Sequence, residues 1–362
     1  MPSTHCLARR PLRRQPGGPT PTPSSATWYL SAILCTCTIS KLCENTQSFV
    51  TTSWNKIKIS FDVETWESVK DGKIPKEKLI ELVRGKFGLV VESYNEIDRD
   101  VIAAGAPSLR VVSTVSTGVD HVDLEAMKEC RVRLGYTPDV NVEAVAELTV
   151  ALLIATSRRI VQGTAAVKNG EYRSNSDYPW LSGQGLHDST VGIVGYGKIG
   201  HSVAVKLKSF LPKRILYTSR KVKPNGAEIG AELTDLDTLL QSSDFVVLTL
   251  ALTPETKCII SREKIALMKE NAILVNTGRG GIVDQDALLK ALQQNKILGA
   301  GLDVTTPEPL PVDHPLQRLE NCVLLPHMGW ASLKAKRDMF HLAVKNVIAV
   351  LNGTPMPAEY AL

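Results

Sequence analysis

The stretch Val191-Gly-Ile-Val-Gly-Tyr-Gly-Lys-Ile-Gly200 sets the strongest limit on how this chain can fold. Residues 190–194 predict a buried strand, and residues 198–210 predict a helix. Between them Gly195, Gly197 and Gly200 spell G-x-G-x-x-G. In such a turn the first glycine permits the tight bend. The second lets backbone approach a pyrophosphate, and the third lets helix and strand pack closely. The helix start adds free N–H groups and a partial positive charge. Taken alone the motif is weak, because other α/β proteins also carry glycine-rich turns. The strand before it, the helix after it and a second strand at 214–218 supply the context that dinucleotide binding requires.

The remaining pattern is α/β throughout. Before the glycine turn, strands are predicted at 48–51, 57–63, 88–92, 109–113 and 132–135. Helices are predicted at 75–84, 97–104 and 124–130. Strands alternating with helices imply a parallel sheet and a first α/β domain. Asn141 is a plausible N-cap for one long helix reaching residue 169. Its stretch 148–155 is apolar all round, which suits a domain junction or a subunit interface. After the glycine turn, strands at 214–218, 245–250, 272–276, 300–304 and 322–325 alternate with helices at 236–241, 262–268 and 285–294. With the first strand they make six, the number of a doubly wound dinucleotide-binding sheet. A last amphipathic helix is expected at 333–351, stopped by Gly353 and Pro355.

At 362 residues the chain is long enough for two domains. Its net charge of +5 is concentrated at one end. Arg9, Arg10, Arg13, Arg14 and Lys41 face only Glu44 within residues 1–48. The rest is near neutral, so neither a nucleic-acid patch nor a membrane surface is indicated. Residues 1–47 are expected to lie outside the fold. Their basic, acid-poor start resembles a mitochondrial presequence, and the apolar run 28–37 behind it resembles a signal peptide. A disordered extension is the third reading, since the prolines break any amphipathic helix. Four of seven cysteines lie there. Cys130, Cys258 and Cys322 are scattered without C-x-x-C spacing. That argues against disulfides or a zinc site and for a reducing, cytoplasmic compartment.

Ligands of doubly wound sheets bind beyond the carboxyl ends of the strands. Arg279 follows the strand at 272–276, Glu308 the strand at 300–304 and His327 the strand at 322–325. Each alone has an ordinary reading as a loop residue. Together they suit hydride chemistry on a ketone. A histidinium hydrogen-bonds the carbonyl oxygen and protonates it, and a carboxylate on its other nitrogen fixes the tautomer. An arginine holds a substrate carboxylate and polarises the ketone. No metal is needed for this chemistry.

The segments 113–121, 191–200, 275–284, 301–309 and 325–329 resemble the D-2-hydroxyacid dehydrogenase family, as do Tyr136-Thr-Pro-Asp-Val140 and Gly353-Thr-Pro-Met-Pro357. The resemblance runs from about Ser48 to the end. It implies a Rossmann-type dinucleotide-binding domain at 141–332. It also implies a flavodoxin-like substrate domain, discontinuous, at 48–140 and 333–362. The implied reaction is NADPH-dependent reduction of a small 2-oxo acid, glyoxylate to glycolate and hydroxypyruvate to D-glycerate. By resemblance Arg279, Glu308 and His327 are catalytic, and the backbone at Ser116, Thr117 and Gly118 cradles the substrate carboxylate. Trp180 matches a family tryptophan that reaches a neighbouring subunit's site, so the resemblance also implies a homodimer. Lys198 and Ile199 in the glycine turn, with Ser219, Arg220, Thr277, Asp303 and Gly329, are expected at the cofactor.

Cofactor choice is also written in the spacing. An NAD site places Asp or Glu about 20 residues beyond the glycines. Here that place is Tyr217-Thr-Ser-Arg220, and no acid occurs between Gly200 and Glu228. Arg220, Lys221 and Lys223, with Ser219, favour NADP(H), with NAD(H) as the alternative. Two departures from the family stand out. Residues 52–60 are too short for a full helix, and Trp330 replaces a small residue beside His327. Two other readings stay open: a dinucleotide-sensing corepressor on the same fold, and a phosphoglycerate dehydrogenase-like enzyme.

Overall fold

A computed structural model describes residues 30–35, 61–66, 74–171 and 182–362. It contains two parallel sheets. The first holds β1 (Leu30–Cys35), β2 (Phe61–Trp66), β3 (Gly88–Val91), β4 (Val111–Thr114) and β5 (Arg133–Gly135). A last strand, β13 (Glu359–Tyr360), adds to it antiparallel to β5. The order β2-β1-β3-β4-β5-β13 is the flavodoxin-like arrangement. Helices α1 (Lys76–Val83), α2 (Arg99–Gly105) and α3 (Leu124–Glu129) connect its strands. Asp98 and Asp123 cap the last two by accepting the Val101 and Ala126 N–H groups.

Strand β1 corrects the expectation that residues 1–47 lie outside the fold. Leu30–Cys35 pairs with β2 on one side and β3 on the other. An interior parallel strand reads as a short continuous apolar run, and Leu-Ser-Ala-Ile-Leu-Cys is such a run. The basic, proline-rich flank had suggested a leader instead. The expected strand at 48–51 lies outside the described residues, as do residues 57–60 of the one at 57–63, whose residues 61–63 fall in β2.

The second sheet contains β6 (Thr190–Val194), β7 (Arg214–Thr218), β8 (Ala231–Leu233), β9 (Phe245–Leu248), β10 (Ile273–Asn276), β11 (Gly299–Leu302) and β12 (Cys322–Leu324). Its order is β8-β7-β6-β9-β10-β11-β12, with every pairing parallel. The order reverses between β6 and β9, the switch point at which such sheets bind ligands. Six strands were expected, and β8 is the seventh. Its Ala-Glu-Leu is too short for its alternation to stand out, and two of its three residues are exposed.

The helix expected over 141–169 is two helices, α4 (Val142–Ser157) and α5 (Ile160–Lys168). Arg159 adopts a left-handed φ of 51° between them. The Ser157 carbonyl accepts instead from Gln184 N–H at 3.0 Å, so the strand-bound chain competes for the helix's hydrogen bond. Helices α6 (Lys198–Lys208), α7 (Pro224–Glu228), α8 (Leu236–Ser242), α9 (Arg262–Ala266) and α10 (Gln285–Gln293) flank the second sheet. The last helix, α11 (Leu333–Leu351), returns to the first sheet. There Ala343, Val344 and Val347 pack with Val90 and Val111. The fully buried Asn346 fixes the docking. It donates to Ser113 Oγ at 3.2 Å and Tyr136 O at 3.0 Å, and accepts from Ala358 N–H at 3.0 Å.

Candidate active site

Each glycine of the dinucleotide turn has its own physical reason. Gly195 has φ +97°, which L side chains rarely adopt. A Cβ at Gly200 would stand 2.3 Å from Gly195 O, so only glycine lets α6 press against the turn. Gly197 has an ordinary φ of −82°, and a Cβ there would meet nothing within 4 Å. No protein atom accounts for glycine at that position. The open space at the start of α6 fits a pyrophosphate approached closely by backbone. Lys198 opens α6 and pairs with Asp139 at 2.6 Å, while Ile199 packs on the apolar cluster beneath the sheet. At the end of β7, Ser219 is half-buried and Arg220 exposed.

Arg279 is presented by the turn after β10. The buried Asn276 shapes that turn, accepting from Gly278 N–H at 3.0 Å and donating to Arg279 O at 2.9 Å. Thr277 lies beneath it, its hydroxyl 2.8 Å from the Thr149 hydroxyl of α4. The guanidinium donates to Gly278 O at 2.9 Å and to Asp120 Oδ1 at 3.3 Å. A Cβ at Gly118 would fall 2.1 Å from Arg279 Nη2, so the 116–118 loop lies flat against the guanidinium. That loop is firmly held. Ser116 Oγ accepts from Gly118 N–H at 3.1 Å. Thr117 Oγ1 donates to Thr137 O at 3.1 Å and Asn141 Oδ1 at 3.0 Å.

His327 Nδ1 is 2.8 Å from Glu308 Oε2, leaving Nε2 for a reacting oxygen. Burial works to raise the Glu308 carboxyl, but the hydrogen bond and charge of His327 outweigh it and hold Glu308 below its ordinary value. Thr305 N–H donates to the other oxygen at 3.0 Å. The charge of Arg279 acts in the same direction on Glu308 and on Asp120, lowering both carboxyls. His327 itself has a left-handed φ of 52°. Asp303 sustains that backbone. Its carbonyl accepts from His327 N–H at 2.8 Å, and its carboxylate accepts from Met328 N–H at 2.7 Å and Gly329 N–H at 2.8 Å. Burial raises the Asp303 carboxyl, with these two N–H groups opposing.

A model of the D-isomer specific 2-hydroxyacid dehydrogenase NAD binding domain matches residues 150–329. The human glyoxylate reductase/hydroxypyruvate reductase is 44% identical over 302 residues, covering 83% of this chain and 91% of that relative. The chain belongs to the D-2-hydroxyacid dehydrogenase family. A solved protein from Thermus thermophilus matches with a TM-score of 0.80 at 36% identity, covering 92% of this chain and 100% of the other. An acyclic imino acid reductase in complex with NADPH and D-Arg matches with a TM-score of 0.77 at 27% identity, again covering 92% and 100%. The protein is accordingly an oxidoreductase with a nicotinamide-dinucleotide domain, not the corepressor-like binding protein.

Within this family member Arg279, Glu308 and His327 lie beyond the carboxyl ends of β10, β11 and β12, and the 116–118 loop beyond β4 lies against Arg279. Trp180 lies outside the described residues. Sequence reasoning missed Asn276 and His121. A histidine beside the substrate loop is a rival acid, but burial, assisted by Arg279 and opposed by Asp120, pushes His121 down to about 4. It is neutral at ordinary pH, its Nε2 2.8 Å from Thr114 Oγ1. Trp330, noted as a departure, braces the turn at His327 by donating from its indole to His327 O at 3.1 Å, with Lys336 Nζ 4.8 Å from its ring centroid. Among the described residues no His, Cys, Asp or Glu cluster is placed to hold a metal ion, and no helix is long and apolar enough to cross a membrane.

Proposed function

We propose that the protein reduces glyoxylate to glycolate and hydroxypyruvate to D-glycerate, with NADPH as the preferred reductant. The observation that carries this reading is the 2.8 Å contact of His327 and Glu308 in the neighbourhood of Arg279. The glycine turn and the first turn of α6 hold the dinucleotide, which when bound supplies a hydride to the substrate carbonyl carbon. Arg279 grips the substrate carboxylate and withdraws charge from its carbonyl oxygen. His327 donates the proton that oxygen needs, and Glu308 stabilises the charged ring before transfer. The relatives' names support small 2-oxo acids as the substrate class. The test is a panel of glyoxylate, hydroxypyruvate and pyruvate with each cofactor. Turnover of pyruvate above the other two sinks the substrate reading.

The cofactor reading rests on the turn after β7. Arg220 and Lys221 are exposed there, and no acid precedes Glu228. A guanidinium forks two bonds to a 2′-phosphate. We expect kcat/KM to favour NADPH over NADH. Arg220→Ala should raise KM for NADPH by about tenfold, the worth of a charged hydrogen bond, and leave NADH nearly unchanged. Equal use of both cofactors by the unmodified enzyme removes the reading.

A second copy of the chain is the proposed partner. On α5, Ile160, Val161 and Val167 are 49%, 51% and 61% exposed, next to the mostly apolar α4. Large apolar groups clustered at a surface mark association sites. Sedimentation at micromolar concentration should give a dimer. A fully active monomer under those conditions overturns this.

A further inference from the structure

We propose that Tyr217 is a positioning residue that sets selectivity for a 2′-phosphorylated dinucleotide by holding the backbone of the basic turn 219–223. The inference rests on the cofactor reading above and adds the group that orders that turn. Tyr217 lies in β7 and is 1% exposed. Its Oη accepts the Lys223 N–H at 3.0 Å. A phenylalanine fills the same apolar space without burying a hydroxyl, so the oxygen is retained for its bond.

Two neighbours hold the ring. Gly226 of α7 lies so close that a Cβ there would stand 3.0 Å from Tyr217 Cε1. The ring also meets Tyr196, with centroids 4.2 Å apart and a 31° tilt. Tyr196 is the residue between Gly195 and Gly197, and its hydroxyl lies 3.3 Å from His201 Nδ1 in α6. The next residue, Thr218, ties the same pieces together. Its carbonyl accepts from Tyr196 N–H at 3.1 Å, and its Oγ1 accepts from Gly195 N–H at 3.2 Å.

The basic turn is therefore anchored at both ends. Thr218 fixes its start to the pyrophosphate turn, and Tyr217 Oη fixes its exit at Lys223. Between those anchors stand Arg220 and Lys221, cations that repel each other and gain by separating. A fixed backbone leaves only their side chains to be ordered around one anion, which lowers the cost of binding it. The adenosine half of either cofactor makes no call on these two cations, so the effect falls on the 2′-phosphate alone.

The test uses the full-length enzyme without cofactor, titrated calorimetrically with 2′,5′-ADP and with 5′-AMP. In Tyr217→Phe the Kd for 2′,5′-ADP should rise about three- to tenfold, as for one lost hydrogen bond, while that for 5′-AMP holds. The ratio of kcat/KM for NADPH to that for NADH should fall by the same factor. Equal weakening of both nucleotides, or an unchanged ratio, overturns the assignment. The ratio within one preparation does not depend on the fraction folded. If the phenylalanine variant is insoluble, Gly226→Ala crowds the same ring and its hydroxyl and should move the ratio in the same direction. An unmodified enzyme that binds 2′,5′-ADP no better than 5′-AMP sinks the cofactor reading itself, and with it this inference.

Discussion

Replacing His327 by alanine should lower turnover with glyoxylate by about two orders of magnitude or more, the usual worth of a positioned acid. Binding of NADPH should survive, because the glycine turn and the basic turn lie on β6 and β7, away from β12. The expectation follows from how completely the structure commits this side chain. Glu308 takes Nδ1, Asp303 fixes the three peptide N–H groups from His327 to Gly329, and Trp330 caps the His327 carbonyl. His121 does not substitute as the acid, since burial keeps it uncharged until the pH falls to about 4. Glu308, held below its ordinary value, stays ionised until the pH falls through that lowered value, so its support for the charged ring is lost only in acid. Turnover within tenfold of the unmodified enzyme would remove His327 from the mechanism.

The residues proposed to meet ligands could be singled out because their chemistry and their place after strands coincide. Gly195, Gly197 and Gly200 are named by spacing alone, and Arg279, Glu308 and His327 by their position at strand ends. What escaped reading is what depends on tertiary partners. Strand β8 is three residues held at a sheet edge by β7, too few for their pattern to stand out. The break at Arg159 arises because Gln184, from a distant part of the chain, takes the Ser157 carbonyl. Leu30–Cys35 carries the apolar run of an interior strand, but its neighbours in sequence resemble a leader, and only pairing with β2 and β3 distinguishes the two. Asn276 sits inside a motif quoted for its arginine, and its turn-building bonds to Gly278 and Arg279 are visible only in three dimensions. The long helix α11 was legible as amphipathic. The buried Asn346 that docks it was not, because a lone asparagine in a helix gives no sign of its partners.

Arg279→Lys should reduce kcat/KM for glyoxylate by about two orders of magnitude, although the charge is kept. The site is built for a planar fork. Asn276 fixes the turn, Gly278 O takes Nη1, and the absence of a side chain at Gly118 lets the guanidinium lie flush with the substrate loop. A lysine presents one point charge and cannot hold a carboxylate and a carbonyl oxygen in fixed relation. Losing one charged hydrogen bond costs about 1.5–3 kcal/mol, and about 2.7 kcal/mol corresponds to a hundredfold. Part of that loss should appear in kcat, because polarisation of the carbonyl grows as charge develops on its oxygen. Asp120 adds a second consequence. Burial would raise its carboxyl, but Arg279, its own backbone N–H and His121 together outweigh burial and hold it below its ordinary value. It is therefore a carboxylate at neutral pH, and an ammonium within its reach would be drawn to it and away from the substrate. Stopped-flow binding of NADPH should be unaffected by the substitution. A lysine variant within threefold of the unmodified enzyme in kcat/KM would show that charge alone suffices, and would take the fork out of the mechanism.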